Sequence, residues 1–191
     1  MSAPDREACD ATGQGAQSDR ASLAALPAGV TAEHLTSTVS TNADAFARAA
    51  NGVSGPHWVC ADAQTAGRGR GGRRWASLDG NFAASLLVVD EIEPRVLHQA
   101  ALLAGVALHD AVCAVQSRAH ACELAQALRL KWPNDLLLHD AKCAGILAES
   151  SRAPACDGNR PAYALVIGFG VNLAAAPRGL ARRRPSGRAP N

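Results

Sequence analysis

The sequence predicts an α+β fold in which a mixed, mostly antiparallel sheet is backed by helices. The first observation is a set of three short, closely spaced strand-like stretches around turns, at residues 128–132, 136–139 and 143–149. The second is one long helical segment that begins at Pro94. Hairpin-like spacing does not favour a doubly wound parallel sheet, which needs a crossover between successive strands. A chain of 191 residues is long enough for one domain with a sizeable core.

The N-terminal half is predicted to hold a helix and two strands after a polar extension. Residues 1–33 are expected to be largely disordered, because the chain begins with a stretch rich in Ala, Ser, Gly, Gln and Asp. Ser40 offers an N-cap for a short helix over residues 43–50. The alternating run at residues 57–64 predicts a strand, and the apolar run at residues 82–89 predicts a buried one.

The C-terminal half begins with the long helix, whose apolar positions recur with helical spacing to about Gln116. A polar loop is expected over residues 151–160, and a last strand over residues 163–167. Residues 174–191 carry five arginines and no acidic residue, and they show no apolar period. They are therefore expected to form an irregular basic tail that is not native to the fold. Such a change in composition is typical of a shifted reading frame in a GC-rich gene, and a native basic tail is the alternative.

Charge and cysteine usage exclude several classes of function. The formal net charge is +2, but outside residues 174–191 the chain carries 14 basic and 17 acidic side chains, so it has no general electrostatic footprint for nucleic acid. The six cysteines show no CxxC spacing, which indicates neither a zinc site nor a disulfide framework. No apolar run reaches transmembrane length, and the polar N-terminus is not a signal peptide. A reducing cytoplasm is the expected location, with no membrane partner.

A loop rich in glycine and arginine, at residues 67–75, is the most informative stretch. Arginine is a permanent cation whose planar fork suits phosphate and carboxylate oxygens, and glycine lets the backbone approach a ligand. The pattern predicts a mobile loop that closes over an anionic ligand. A solvated basic loop is the simpler interpretation. A nucleic-acid site would need stacking aromatic residues among the arginines, and only Trp75 is available.

Four further stretches have both an ordinary interpretation and a functional one. Ser40-Thr41-Asn42 is a helix cap that also presents polar groups at a helix N-terminus. Residues 131–135, Lys-Trp-Pro-Asn-Asp, form a tight turn that places a lysine at a strand end. Residues 142–149 are an apolar strand that begins with Lys142, which as a lone edge lysine would be ordinary. Residues 168–172 combine two glycines, which allow close packing, with a terminal asparagine.

In this order and spacing, the five stretches together with Gln64 resemble the catalytic domain of biotin protein ligases. The resemblance runs from about Thr36 to Leu173. The wider fold family includes lipoate ligases, octanoyl transferases and the cores of class II aminoacyl-tRNA synthetases, so that fold is implied. Residues 34–173 are then an incomplete catalytic domain of this type. The small C-terminal SH3-like barrel of such ligases is expected to be absent.

The resemblance implies that the chain activates biotin with ATP and transfers it to a lysine of the biotin carboxyl carrier protein of acetyl-CoA carboxylase. Lys142, Arg68 and Arg70 are the implied catalytic residues, with the Lys142 ammonium bridging the biotin carboxylate and the α-phosphate. The implied biotin-binding set is Ser40, Thr41, Asn42, Gln64, Arg68, Gly69, Arg70, Lys142 and Gly145. The implied ATP-binding set is Arg73, Trp75, Lys131, Asn134, Asp135 and Asn172. Magnesium is expected to arrive with ATP, held by phosphate oxygens and water rather than by a protein metal site.

Some members of this family carry an N-terminal helix-turn-helix, which is not expected here because only 39 residues precede Ser40. No DNA partner is therefore expected. Three alternatives remain open from the sequence. They are a relative of lipoate ligases, a biotin-binding fragment that does not ligate, and a nucleic-acid-binding module that uses the two arginine clusters.

Overall fold

A computed structural model describes residues 26–90, 97–118, 126–153 and 162–177. Within these ranges it contains seven strands and two α-helices. In chain order they are β1 (Thr31–Thr38), α1 (Thr41–Ala50), β2 (His57–Gln64), β3 (Phe82–Asp90), α2 (Leu97–Arg118), β4 (Leu128–Lys131), β5 (Asp135–Leu138), β6 (Ala141–Ala153) and β7 (Ala162–Val171). The strands form one sheet in the order β1-β2-β3-β7-β6-β5-β4. Only the β1–β2 pair is parallel among these, so the prediction of a mixed, mostly antiparallel sheet is confirmed.

Strand β1 was not predicted, and it corrects the expected boundary of disorder at residue 33. It begins at Thr31 and pairs with β2 from Thr31↔His57 to Thr38↔Gln64. Strand β1 is not evident from the sequence because an edge strand with one exposed face needs few apolar residues. Leu35 is the only large apolar residue in β1. Polar pairs support the strand instead, since Arg48 of α1 donates to both carboxylate oxygens of Glu33 at 2.8 and 2.9 Å.

The two helices cover opposite faces of the sheet, and β7 is the strand between them. Successive residues of a strand point to opposite faces. Ala164 and Val166 pack in the cluster that includes Ala45 and Ala49 of α1. Leu165 and Ile167 pack with Ala104 of α2. Because β7 is buried on both faces it reads as a continuous apolar run, which is why the sequence revealed it.

Several predicted boundaries shift. Strand β7 extends to Val171 instead of stopping at Ile167, because β3 and β6 pair with it along its length. Strand β6 continues to Ala153, past the predicted end at Glu149. The predicted helix start at Pro94, the remainder of the polar loop at residues 154–160, residues 1–25 and the tail at residues 178–191 lie outside the described residues. No helix in the described part of the chain is long and apolar enough to cross a membrane.

A single asparagine fixes the chain where it leaves β7. Asn81 Oδ1 accepts hydrogen bonds from the backbone N–H groups of Leu173, Ala174 and Ala175 at 3.0, 3.0 and 3.1 Å. Asn81 Nδ2 donates to the carbonyl of Ala175 at 2.7 Å. Residues 173–175 take part in these bonds through their backbone atoms only, so the bonds do not depend on the side chains at those positions. The exit directs the chain to Pro177, which lines the cavity described next.

Candidate active site

A cavity of about 840 Å³ lies at one end of the sheet, between the start of α1, the glycine-arginine loop and strands β5 to β7. This volume is within the range of small-molecule sites. The predicted site residues that line it are Ser40, Thr41, Asn42, Gln64, Arg68, Gly69, Arg70, Arg73, Trp75, Lys131, Asn134, Asp135, Lys142 and Gly145. The fold therefore brings together motifs that are more than a hundred residues apart in the chain.

The start of α1 is buried and bonded to β2 rather than capped by its own side chain. Ser40, Thr41 and Asn42 are each at most 4% exposed. Ser40 occupies the N-cap position, but its side chain makes no capping hydrogen bond, so the predicted capping role is wrong. Gln64 Oε1 takes that role by accepting from the Thr41 backbone N–H at 3.0 Å and from its hydroxyl at 3.2 Å. Ser40 and Gln64 both line the cavity.

A buried serine that sequence analysis missed organises this polar side of the cavity. Ser85 of β3 is fully buried, and its hydroxyl lies 2.7 Å from Thr41 Oγ1 and 2.6 Å from Asn42 Oδ1. One hydroxyl proton can be donated to only one of these oxygens at a time. Asn42 Nδ2 donates to Glu149 Oε2 at 2.8 Å. A serine within the apolar run at residues 82–89 was the available signal, because a buried hydroxyl needs partners.

Glycines on β6 and β7 let side chains of the site lie directly against the sheet. A Cβ atom at Gly168 would come within 2.2 Å of Asn42 Oδ1, and one at Gly170 within 2.4 Å of Trp75 Cε2. A Cβ atom at Gly145 would meet the Lys142 ammonium at 3.1 Å and the Trp75 ring at 3.2 Å. The close packing predicted for the Gly168-Phe169-Gly170 segment is therefore confirmed.

The glycine-arginine loop folds into a compact hairpin over the cavity. Trp75 N donates to the Gly67 carbonyl at 2.9 Å, and Gly69 N donates to the Arg73 carbonyl at 2.6 Å. Gly71 and Gly72 have φ angles of 69° and 74°, which favour glycine. The loop thus has a defined conformation in this structure, and its ordering by a ligand stays a prediction.

Positive charge dominates the cavity. Six cationic side chains line it, against two carboxylates; the cations are Arg68, Arg70, Arg73, Arg74, Lys131 and Lys142, and the carboxylates are Asp135 and Asp140. Lys142 Nζ lies 2.6 Å from Asp135 Oδ1, although that oxygen is not in hydrogen-bond geometry. The ammonium also lies 5.6 Å from the centre of the Trp75 ring, within cation–π range. A surplus of cations in a concave site attracts anionic ligands.

Asn172 is the predicted site residue that does not line the cavity. Its backbone N–H donates to the Cys143 carbonyl at 2.7 Å, and its Oδ1 accepts from Asn81 Nδ2 at 3.2 Å. It lies just beyond the end of β7, where the chain turns toward Asn81. In this position Asn172 joins β6 to the exit of β7, and its contact with a nucleotide stays a prediction.

The Asn134 side chain both lines the cavity and fixes the turn between β4 and β5. Asn134 Nδ2 donates to the Ile146 carbonyl at 2.9 Å, and Ile146 N donates to the Asn134 carbonyl at 2.9 Å. Lys131 and Asp135 are held at the two ends of this turn, where they pair across the strands. The rigid turn expected from Pro-Asn-Asp is therefore present, and it is attached to β6.

In the part of the chain that the structure describes, two half-buried thiols are disfavoured as nucleophiles and no cluster of metal ligands is found. Burial raises the pKa of the Cys143 thiol, which disfavours the thiolate. The Cys60 pKa is raised by burial and, to a lesser degree, by the Glu33 charge. The described residues contain no group of three or more His, Cys, Asp or Glu side chains that could hold a metal ion. The chemistry of the cavity rests on cations and hydrogen-bond donors.

Comparisons with known proteins agree on one family. The sequence model of the biotin/lipoate A/B protein ligase family matches residues 35–172. The biotin–[acetyl-CoA-carboxylase] ligase of Paracoccus denitrificans is 44% identical over 144 residues, which cover 75% of this chain and 55% of the relative. The ligase of the same description from Mycobacterium tuberculosis is 38% identical, covering 73% of this chain and 48% of the relative. The chain thus spans about half the length of these curated relatives.

Solved structures give the same result. The biotin protein ligase of Leishmania major in complex with biotinyl-5-AMP has a TM-score of 0.61 and 30% identity, over 80% of this chain and 60% of that one. The Aquifex aeolicus enzyme in complex with biotin and ATP has a TM-score of 0.57 and 28% identity, over 78% and 56% of the two chains. With the fold, the cavity and these likenesses in agreement, the chain belongs to the biotin/lipoate A/B protein ligase family.

Proposed function

We propose that the chain activates biotin with ATP to form biotinyl-5′-adenylate and transfers the biotinyl group to a lysine of a biotin carboxyl carrier protein. Two relatives, whose matches cover 75% and 73% of this chain, are named as biotin–[acetyl-CoA-carboxylase] ligases. The observation that carries the proposal is the single cavity in which a buried polar wall meets six cationic side chains. A neutral ring system and two anions could be held there side by side.

The first step requires two negative groups to meet, and we assign to Lys142 the role of offsetting their repulsion. A carboxylate oxygen of biotin attacks the α-phosphorus, the bond to the bridging oxygen breaks, and pyrophosphate leaves. The Lys142 ammonium already faces a carboxylate in Asp135, so the same cation can hold an incoming one. In the second step the carrier amine attacks the acyl carbonyl, AMP leaves with the bonding electrons, and the amine loses a proton. Stabilising charge that develops in such steps is a large part of catalysis.

The buried polar wall suits the biotin head group. Its ureido ring carries N–H donors and a carbonyl acceptor, which need partners when taken out of water. Ser40 and Gln64 line the cavity, and the Ser40 side chain makes no capping hydrogen bond, so its hydroxyl and the Gln64 amide nitrogen are the groups that we assign to the ring. Thr41, Asn42 and Ser85 hold each other in place behind them. This arrangement is fixed before the ligand arrives, so little ordering is needed on binding.

Magnesium fits this cavity only as a partner of ATP. Two carboxylates line the cavity, and one of them, Asp135, is ion-paired with Lys142. Mg²⁺ commonly keeps water ligands and binds through one or two carboxylates plus substrate phosphates. Asp135 or Asp140 would be such a ligand, and the ion would neutralise phosphate charge when bound.

Location in the cytoplasm, where the cysteines would stay reduced, completes the proposal.

Pyrophosphate release distinguishes this function from that of a lipoate ligase relative. The full chain is incubated with ATP and either biotin or lipoate, and release is followed over time. We expect release that depends on biotin and is at least about tenfold weaker with lipoate, because the polar wall is built for a ring with donors and an acceptor. Preference for lipoate would overturn the biotin assignment. Addition of a biotin carboxyl carrier domain then separates ligation from mere activation, because only ligation attaches biotin to its lysine.

A further inference from the structure

The carboxylate of Glu149 connects two parts of the site that are far apart in the sequence. It lies on β6, and its Oε2 accepts a hydrogen bond from Asn42 Nδ2 at 2.8 Å. The same oxygen accepts another from Arg68 Nη2 at 3.0 Å. Asn42 belongs to the first turn of α1, and Arg68 belongs to the glycine-arginine loop. One oxygen atom therefore ties the loop to the polar wall of the cavity.

Asn42 holds this carboxylate in a fixed position. Asn42 is 4% exposed, and its amide oxygen faces the Ser85 hydroxyl. Its amide nitrogen faces the Leu147 carbonyl at 3.4 Å and Glu149, both of which can only accept hydrogen bonds. Rotating the amide would leave buried polar groups unpaired, which is costly. The position of Glu149 is therefore set by the buried side of the site and not by the loop.

Arg68 is the weakly held member of this connection. Its side chain is 48% exposed, against 27% for Glu149. An ion pair this exposed to water is weak and is screened by salt. Among the described residues, this is the one salt bridge that an arginine of the loop makes. The Arg68–Glu149 ion pair consequently favours the position of the loop against the sheet, and it can still break so that the loop opens.

We propose that Glu149 is a positioning residue, which holds Arg68 and with it the loop over the cavity before a ligand is bound. The role in catalysis rests on the proposed function, because it assumes that Arg68 serves the bound anions. A loop that is already near its closed position loses less conformational freedom on binding. Glu149 thus links the geometry of the polar wall, through Asn42, to the closure of the loop.

The test compares Glu149→Gln with Glu33→Gln in the full chain. Both changes remove a carboxylate that pairs with an arginine, but Glu33 pairs with Arg48 on β1 and α1, away from the cavity. The first readout is tryptic cleavage of the loop without ligand, at its arginines Arg68, Arg70, Arg73 and Arg74. We expect cleavage about fivefold faster in Glu149→Gln and unchanged in Glu33→Gln. High salt should raise the rate in the parent chain toward that of Glu149→Gln, and it should have little effect on the variant.

The second readout is the kinetics of pyrophosphate release. For Glu149→Gln we expect the KM for biotin to rise by up to about fivefold, in line with the loop opening, with kcat changed by less than about twofold, because positioning acts on binding. If Glu149 had only a structural role, Glu149→Gln would lower the melting temperature without raising KM selectively over kcat. Loop cleavage equal to that of the parent chain, or a lower KM, would overturn the proposal. The cleavage assay needs no activity, so it fails or succeeds independently of the proposed function.

Discussion

Replacing Lys142 with alanine should reduce biotin-dependent pyrophosphate release by about a hundredfold to a thousandfold, the range seen when one group that stabilises developing charge is removed. The ammonium is the cation that faces Asp135 at 2.6 Å, beside the Trp75 ring. Without it, the carboxylate of biotin and the α-phosphate would meet with their repulsion less well offset. Near-normal release by Lys142→Ala would remove this residue from the mechanism.

One double variant, read by melting and by activity, separates a lost catalytic cation from a lost fold. Lys142→Ala leaves the Asp135 carboxylate, which is 17% exposed, without its partner and can destabilise the chain. The double variant Lys142→Ala, Asp135→Asn removes both charges, so we expect it to melt close to the parent chain and to remain as inactive as the single variant. Activity that returned in the double variant would show that the single change acted through the stranded carboxylate.

Adding one methyl group at Gly168 should damage both the fold and biotin binding. The new Cβ would come within 2.2 Å of Asn42 Oδ1, far inside contact distance. Asn42 cannot move aside freely, because Ser85, Leu147 and Glu149 bind its amide on both sides. We expect Gly168→Ala to lower the free energy of unfolding by about 1–3 kcal/mol, as overpacking does, and to weaken biotin binding at least about tenfold.

The matched control is Gly105→Ala on α2. Its Cβ would lie 3.5 Å from Leu130 Cδ2, an ordinary contact, and alanine is favoured over glycine within a helix. We expect Gly105→Ala to be neutral or stabilising and to bind biotin as the parent chain does. Urea unfolding and biotin titration measure both effects. If Gly168→Ala matched Gly105→Ala in both assays, the polar wall would not depend on Asn42 as described.

What the sequence could predict depended on how each element is buried. Strand β7 is covered on both faces and β3 is largely apolar apart from Ser85, so both were evident from their runs of apolar residues. Strand β1 was not, because its polar side chains are stabilised by partners such as Arg48 that are distant in sequence. The hydrogen bonds of the Asn81 side chain could not be predicted either, because its backbone partners at residues 173–175 come close to it only after folding.

The parts of the candidate site that could be predicted are likewise those with a local sequence pattern. The glycine-arginine loop and the Lys-Trp-Pro-Asn-Asp turn are unusual local patterns, and the structure brings both to the cavity. Ser85 is a single serine within an apolar stretch and Glu149 stands at the end of one, and nothing local indicates that Asn42 lies between them. The ATP-binding role that the resemblance implies for Asn172 stays a prediction; in this structure its Oδ1 accepts a hydrogen bond from Asn81.

We propose that this cavity forms an adenylate of biotin, and detection of that product tests the proposal. The full chain is incubated with biotin, ATP and magnesium and no carrier, then denatured, and the released small molecules are identified by mass spectrometry. We predict biotinyl-5′-adenylate in stoichiometric amount relative to the chain, absent without biotin and strongly reduced in Lys142→Ala. A parent chain that melts cooperatively, yet yields no more adenylate than Lys142→Ala, would contradict the account.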